Sequence, residues 1–266
     1  MKKMFISALL LCSFYRVDAA LQPTTSELRK DYLRRAQVWR PVEVAKMNIL
    51  EGPQNEVSAP FDSVVECEYI EPKKELAGVI PKFLCKTASG SILRVKYGIE
   101  NKEIYSEAAA SRLFWALGFY SDDVYAVQVK CANCPETPFK ADINAPRGNY
   151  LFKDATMERQ FPGETIEEKE DQGWTFKELE KVRSDEGGAT RAQLDALRLL
   201  AVFIQDSDTK PDNQRLACLK DQIADVTCRE PIAMIQDLGT SFGSGFAGAA
   251  MNKMDLNAWR KKKVWK

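Results

Sequence analysis

The sequence contains no histidine. That excludes Ser-His-Asp and Cys-His nucleophile systems and most zinc hydrolase sites, which use imidazole as base or ligand. It also lacks a charge excess, because 38 Lys and Arg balance 38 Asp and Glu. Without a global field, no nucleic acid and no anionic membrane surface is an expected partner. The local exception, Arg260–Lys263, reads as a solvated basic end. Beyond the first 20 residues no apolar run is long enough for a membrane span, which needs ~20 apolar residues. Internal repeats and low-complexity stretches are missing too. Chemistry in this chain must therefore run on Asp, Glu, Lys and Asn, with a metal ion as the available helper.

The amino terminus is patterned. Lys2 and Lys3 precede the apolar run Met4–Phe14, and Val17-Asp18-Ala19 offers small residues where a signal peptidase reads. The pattern predicts a secretory signal peptide over residues 1–20, cleaved after Ala19 or Ala20. Leu11 before Cys12 is too bulky for a lipid-attachment motif, so lipidation is not expected. A dilysine start and a short apolar core fit bacterial export, which predicts a periplasmic or secreted protein. Export changes the meaning of the remaining cysteines, Cys67, Cys85, Cys131, Cys134, Cys218 and Cys228. An even number in an oxidising compartment implies disulfides. Sequence proximity favours Cys67–Cys85, Cys131–Cys134 and Cys218–Cys228. The pair Cys131-Ala132-Asn133-Cys134 also fits a redox or zinc half-site, but no second C-x-x-C completes a tetrahedral set.

In chain order, residues 21–60 are punctuated by proline and read as an N-terminal extension, with a short charged helix over Ser26–Val38. Residues 61–158 read as a β-rich small lobe. Strands are expected at Val64–Ile70, Lys82–Thr87 and Ser91–Tyr97, then a helix at Glu103–Leu117 stopped by Gly118. Further strands follow at Val124–Lys130 and Asn149–Lys153. This β-β-β-α-β-β order predicts an antiparallel sheet with one helix packed on it. Residues 159–266 read as a helical large lobe, minimal or truncated. Trp174–Val182 is expected as a short helix with a Thr175/Glu178 capping box. Thr190–Ile204 carries the strongest helical stripe, through Leu194, Leu197, Leu200 or Ala201, and Ile204. Leu216–Leu219 and Ile232–Gln236 are short strand candidates. The fold class is α+β.

Three stretches carry chemistry. Phe203–Leu216 holds Asp208, Lys210 and Asn213 in a D-x-K-x-x-N spacing. Asp237-Leu238-Gly239 follows, and upstream Lys96 sits near the end of a strand. Phosphoryl transfer asks little covalent help of a protein; it needs charge neutralisation and alignment. A strand lysine can hold phosphates, and a helix glutamate, Glu107 or Glu103, can hold that lysine. A loop aspartate can accept the proton of an acceptor hydroxyl. Asn and Asp oxygens suit a hard cation.

Asp208-Thr209-Lys210-Pro211-Asp212-Asn213 resembles the protein-kinase catalytic loop D-L-K-P-E-N. Asp237-Leu238-Gly239 is similar to the kinase D-F-G, and Val95-Lys96 to the end of V-A-I-K. The resemblance covers roughly Val64–Gly243. The chain is also similar to exported bacterial proteins of an uncharacterised kinase-like family with D-x-K-x-x-N-Q-R-L and Q-D-L-G stretches. The resemblance implies a two-lobed kinase-like fold and ATP with Mg2+ or Mn2+ as cofactors. Asp208 would be the catalytic base and Lys210 would steady the transferring phosphate. Asn213 and Asp237 would hold metal, Lys96 the phosphates, and Glu107 the lysine. The chain departs from the pattern in places. No G-x-G-x-x-G lies between the first strands, where Lys73 and Lys74 are expected to contact phosphates instead. Asp206-Ser207 replaces His-Arg, no A-P-E follows, and 27 residues remain after Gly239. The expected activity is phosphate transfer from ATP to a protein or small-molecule hydroxyl. The alternatives are an inactive pseudokinase and a disulfide-stabilised binding or scaffold protein.

Overall fold

The structure is a computed structural model that describes residues 20–98, 103–166 and 173–243. The expected signal peptide and the basic end lie outside the described residues. Strands β1 (Val64–Ile70), β2 (Lys82–Thr87) and β3 (Ile92–Tyr97) precede helix α2 (Glu103–Leu117), and β4 (Asp123–Pro135) and β5 (Arg147–Arg159) follow it. The five strands close into a barrel in the order β1-β2-β3-β5-β4. Closure is by a parallel pairing of β1 with β4, from Val64 opposite Gln128 to Glu68 opposite Ala132. This corrects the expected antiparallel sheet. Alternation along a strand reveals which face is buried but not which edge is paired; closing the barrel removes two edges that would otherwise stay open.

The barrel interior is apolar, with Phe83, Val95, Tyr125, Val127, Val129 and Met157. Two disulfides staple it. Cys67–Cys85 ties β1 to β2, and Cys131–Cys134 spans a register irregularity in β4. Cys218–Cys228 closes the third loop, so all three expected pairs form, with Cα–Cα separations of 5.7, 5.8 and 5.9 Å. Disulfides fit an oxidising, extracytoplasmic compartment. Among the described residues, no helix is long and apolar enough to cross a membrane.

A second core lies beside the barrel. Residues 21–60 contribute more than a lead-in to it: helix α1 (Ser26–Arg34) buries Tyr32 and Leu33 there. This helix ends before Val38 because the chain turns extended and pairs with the 231–233 segment, Gln37 donating to Pro231 O and accepting from Ala233 N. Helix α3 (Arg191–Phe203) packs Leu194, Leu197 and Leu200 into this core and starts with a Thr190/Gln193 capping box. Strands β6 (Glu164–Thr165), β7 (Gln214–Cys218) and β10 (Ile232–Ile235) form a sheet in the order β10-β7-β6. Between β7 and β10, β8 (Ile223–Ala224) and β9 (Thr227–Cys228) make a small hairpin. The α+β class therefore holds, but the described part of the second half is a small sheet with one α-helix of its own. The helix expected at Trp174–Val182 is a 3₁₀ turn, Glu178–Lys181. Its capping box does form, Glu178 N donating to Thr175 Oγ1 at 3.2 Å. Tertiary demands override the rest. Trp174 is buried with Nε1 donating to Arg215 O and Met234 O, and Glu178 is held by Arg29 at 3.0 Å.

Candidate functional site

The loop after α3 is shaped by its cap. Asp206 N–H reaches back to Ala201 O and Gln205 N–H to Val202 O, with Gln205 at φ +56°. This is the two-bond reversal that usually employs glycine. It turns the chain sharply into Asp206–Lys210. Pro211 then opens a 3₁₀ turn, Pro211–Asn213, its fixed φ suited to that first position. Asn213 Nδ2 donates to Asp208 O at 2.7 Å and closes the loop on itself. Gly173 packs against the outside of the turn. A Cβ there would stand 1.9 Å from Pro211 O, and its φ of +63° also demands glycine.

Sheet register brings the second acidic stretch alongside. Ile235 pairs with Gln214, and beyond that pair Gln236 N and Asp237 N both donate to Asn213 O, at 2.8 and 3.2 Å. Asp237 Oδ1 accepts from Gly239 N–H at 3.0 Å. A Cβ on Gly239 would lie 2.7 Å from Glu103 Oε2, so glycine permits the turn to approach α2. Ser106 Oγ donates to Gly239 O at 2.8 Å and ties the turn to that helix. Thr240 joins the two stretches: its hydroxyl accepts from Asp208 N and donates to Asp206 Oδ1.

The lysine arrives from the barrel. Val95 faces the barrel interior, so its neighbour Lys96 faces the opposite side, where α2 packs. Glu107 lies on the buried face of α2 with Ile104, Ala108 and Ser111. Lys96 Nζ donates to Glu107 Oε1 at 2.7 Å and contacts Asp237 Oδ1 at 3.3 Å. Strand β3, the helix that follows it and a turn 141 residues beyond Lys96 thus meet at one ammonium. Lys96 is 2% exposed and Glu107 1%, while the Asp237 side chain is 37% exposed and forms the open side of the cluster.

Electrostatics follow from this burial. For Lys96 burial favours the neutral amine, but Glu107, Asp237 and Glu158 outweigh it and keep the ammonium charged above the usual lysine range. Burial and the neighbouring Asp237 and Glu158 push the Glu107 carboxyl above the usual carboxylate range, against the attraction of Lys96. One ammonium is shared by more carboxylates than it can neutralise, and the deepest of them takes up the strain. Burial also acts on Asp237, yet Lys96, the Gly239 N–H and Lys82 hold it below the usual carboxylate range. Asp237 is thus the ionised, solvent-facing oxygen donor of the cluster.

Lys96, Glu107, Asp237 and Asn213 are therefore brought together. Asp208 and Lys210 lie on the adjoining loop, where Lys210 Nζ pairs with Asp208 Oδ2 at 3.0 Å. Lys73 and Lys74 are exposed on the β1–β2 connection, and among the described residues no hydrogen bond or ion pair joins them to the cluster. Lys82, opposite Lys96 on β2, is the second lysine whose charge acts on Asp237. A cavity of about 410 Å³ opens beside Lys82, lined also by Tyr69, Phe83 and Pro138. A cavity of about 440 Å³ lies elsewhere, near Glu66, Lys86 and Lys130.

Sequence reasoning missed Asp206, Thr240 and Lys82. Burial, with Asp237 and Asp208 nearby, pushes the Asp206 carboxyl up to about 6 despite the bond from Thr240. The D-x-D spacing of Asp206 and Asp208 was its available signal. Lys82 gave none, because its position depends on which strand edges pair. No family model matches the chain, no curated protein matches it, and no solved structure matches it.

Proposed function

We propose that this chain is an exported, periplasmic or secreted kinase-like protein that binds ATP with Mg2+ or Mn2+ and transfers phosphate to a protein or small-molecule hydroxyl. The observation that supports it is the meeting of Lys96, Glu107 and Asp237 from strand, helix and turn, with Asn213 fixed beside Asp237 by two backbone bonds. The donor set fits a hard divalent cation: an ionised, part-exposed carboxylate and an asparagine amide, both oxygen ligands. Bound there, the cation supplies charge neutralisation for the phosphates. Asp237 and Asn213 hold it. Lys96 is already held by two carboxylates, so a phosphate oxygen competes with Asp237 for the ammonium. Glu107 keeps the lysine in place during that exchange. Asp208, on the open loop, orients the acceptor hydroxyl and takes its proton; Lys210 moves from Asp208 to the transferring group. Glu103 is a second helix carboxylate at the turn and remains the substitute for Glu107 in steadying the cluster.

A second reading, nucleotide binding without turnover, is favoured by the Lys210–Asp208 pair, which occupies the proposed base. Transfer of labelled phosphate from ATP to the chain itself or to a generic hydroxyl acceptor separates the two. Turnover that vanishes in Asp208→Ala supports the enzyme. Binding with no transfer in the wild type leaves the pseudokinase, and absence of both leaves the disulfide-stapled scaffold.

A further inference from the structure

Lys82 lies beside the cluster without a part in the reaction proposed above. It is the first residue of β2 and stands opposite Lys96 on β3 in their antiparallel register. Residues paired in this way project from the same face of a sheet. Phe83 and Val95, the next pair, fill the barrel interior, so Lys82 and Lys96 share the outer face. On that face Lys96 is held by Glu107 and Asp237, and Arg94 by Glu158 at 2.8 Å. Among the described residues no carboxylate stands within ion-pair distance of Lys82, whose Nζ donates instead to a backbone carbonyl, Ala77 O, at 3.0 Å. A lysine ammonium has donors to spare beyond one carbonyl.

The surroundings of Lys82 favour an anion. Burial, Lys96 and Arg94 favour its neutral amine and hold it below the usual lysine range, against the attraction of Asp237 and Glu158. An arriving anion relieves that imbalance. The charge of Lys82 in turn reaches both carboxylates at the turn, Asp237 and Glu103. Access is open: Lys82 is half-buried, its bond to Ala77 lies at the surface, and a cavity of about 410 Å³ opens beside it. The β1–β2 connection is shaped around the ammonium. Gly78 has φ +90°, and a Cβ there would stand 3.1 Å from Lys82 Nζ, so glycine lets the backbone pass close to the charge. A triphosphate carries more charge than one divalent cation neutralises, and Lys96 is already shared between Glu107 and Asp237. The site needs a further cation, and Lys82 is placed to supply it.

We propose that Lys82 binds the phosphate chain of the nucleotide together with Lys96, in the part expected of Lys73 and Lys74. The proposal rests on the phosphoryl-transfer reading and adds a binding residue to it. The test compares the disulfide-bonded protein with Lys82→Gln, whose amide retains a donor and loses the charge. Equilibrium binding of ATP with Mn2+ is measured beside binding of Mn2+ alone and the urea midpoint. ATP with Mn2+ is expected to bind roughly tenfold more weakly in the variant, the loss of one charge-assisted contact. Mn2+ alone is expected to bind no more weakly, because the lost charge repels a cation, and the urea midpoint is expected to stay where it is. Equal ATP affinity in the two proteins would overturn the role of Lys82 and leave the phosphoryl-transfer reading standing. Weaker binding of Mn2+ alone, or a lower midpoint, alongside the loss of ATP affinity would make that loss structural and overturn the role as well. Absence of ATP binding in the wild type would overturn the reading and the proposal together.

Discussion

Lys96 and Glu107 sit in the seam between barrel and helix, sealed from water, whereas Asp208 and Lys210 lie two residues apart on one open loop. The first pair joins positions from a strand and a helix; the second is local in sequence. Both are lysine–carboxylate contacts of similar length, 2.7 and 3.0 Å, so distance does not distinguish them. Burial does. A charge taken out of water is tolerated only while its partner remains, so removing one member leaves an uncompensated ion. An exposed pair exchanges its partner for water at little cost. In the proposed reaction this difference assigns the fixed part of the site to phosphate and metal and the adaptable part to the acceptor.

The largest expected effect falls on the sealed pair. Lys96→Met leaves Glu107 buried without its cation and is expected to cost about 3–5 kcal/mol, read as a lower urea midpoint with an unchanged slope. A cost as small as that of a surface substitution would break the comparison. Next comes the wall behind the loop. Gly173→Ala drives a methyl into Pro211 O at a positive φ. It is expected to cost about 2–4 kcal/mol and to loosen Pro211–Asn213, which hydrogen exchange of the Asn213 amide would register.

Asp206 offers a pH test. Its folded carboxyl, at about 6, lies above its unfolded value, so the fold holds a proton that the unfolded chain has lost. Its contribution to stability therefore falls as pH rises from about 4 to about 6 and is level beyond. Asp206→Asn keeps an acceptor for Thr240 and loses the charge. Relative to the wild type it is expected to gain about 1–2 kcal/mol by pH 7 and almost nothing at pH 4. A pH-independent difference would mean that Asp206 is ordinary. The smallest effect is on the open pair: Asp208→Ala is expected to change stability by less than about 0.5 kcal/mol while abolishing phosphate transfer.

The sequence made the elements legible and the closure illegible. The α2 boundaries, the capping boxes at Thr190 and Thr175, and the disulfide pairs all rest on local chemistry, which survives in the fold. The parallel β1–β4 seam depends on strand edges, which alternation does not encode. The same limit explains the site. Asp208, Lys210, Asn213 and Asp237 could be found by spacing, and Lys96 with Glu107 by their place on strand and helix. Lys82 comes to the cluster only through the β2–β3 register, and the bond of Thr240 to Asp206 across the two stretches is not encoded by the D-x-D spacing. Lys73 and Lys74, expected at the phosphates, sit on an exposed connection whose course no local pattern specifies.

The measurement that bears most directly on the phosphate and metal assignment is the thermal midpoint of the disulfide-bonded protein with and without millimolar ATP and Mn2+, beside Asp237→Ala. A ligand at ten times its dissociation constant adds about 1.4 kcal/mol, which for a domain of this size raises the midpoint by roughly 3–6 °C. That rise is expected in the wild type and not in Asp237→Ala. No rise in the wild type, or an equal rise in both proteins, would contradict the assignment of Lys96, Asn213 and Asp237 to nucleotide and metal.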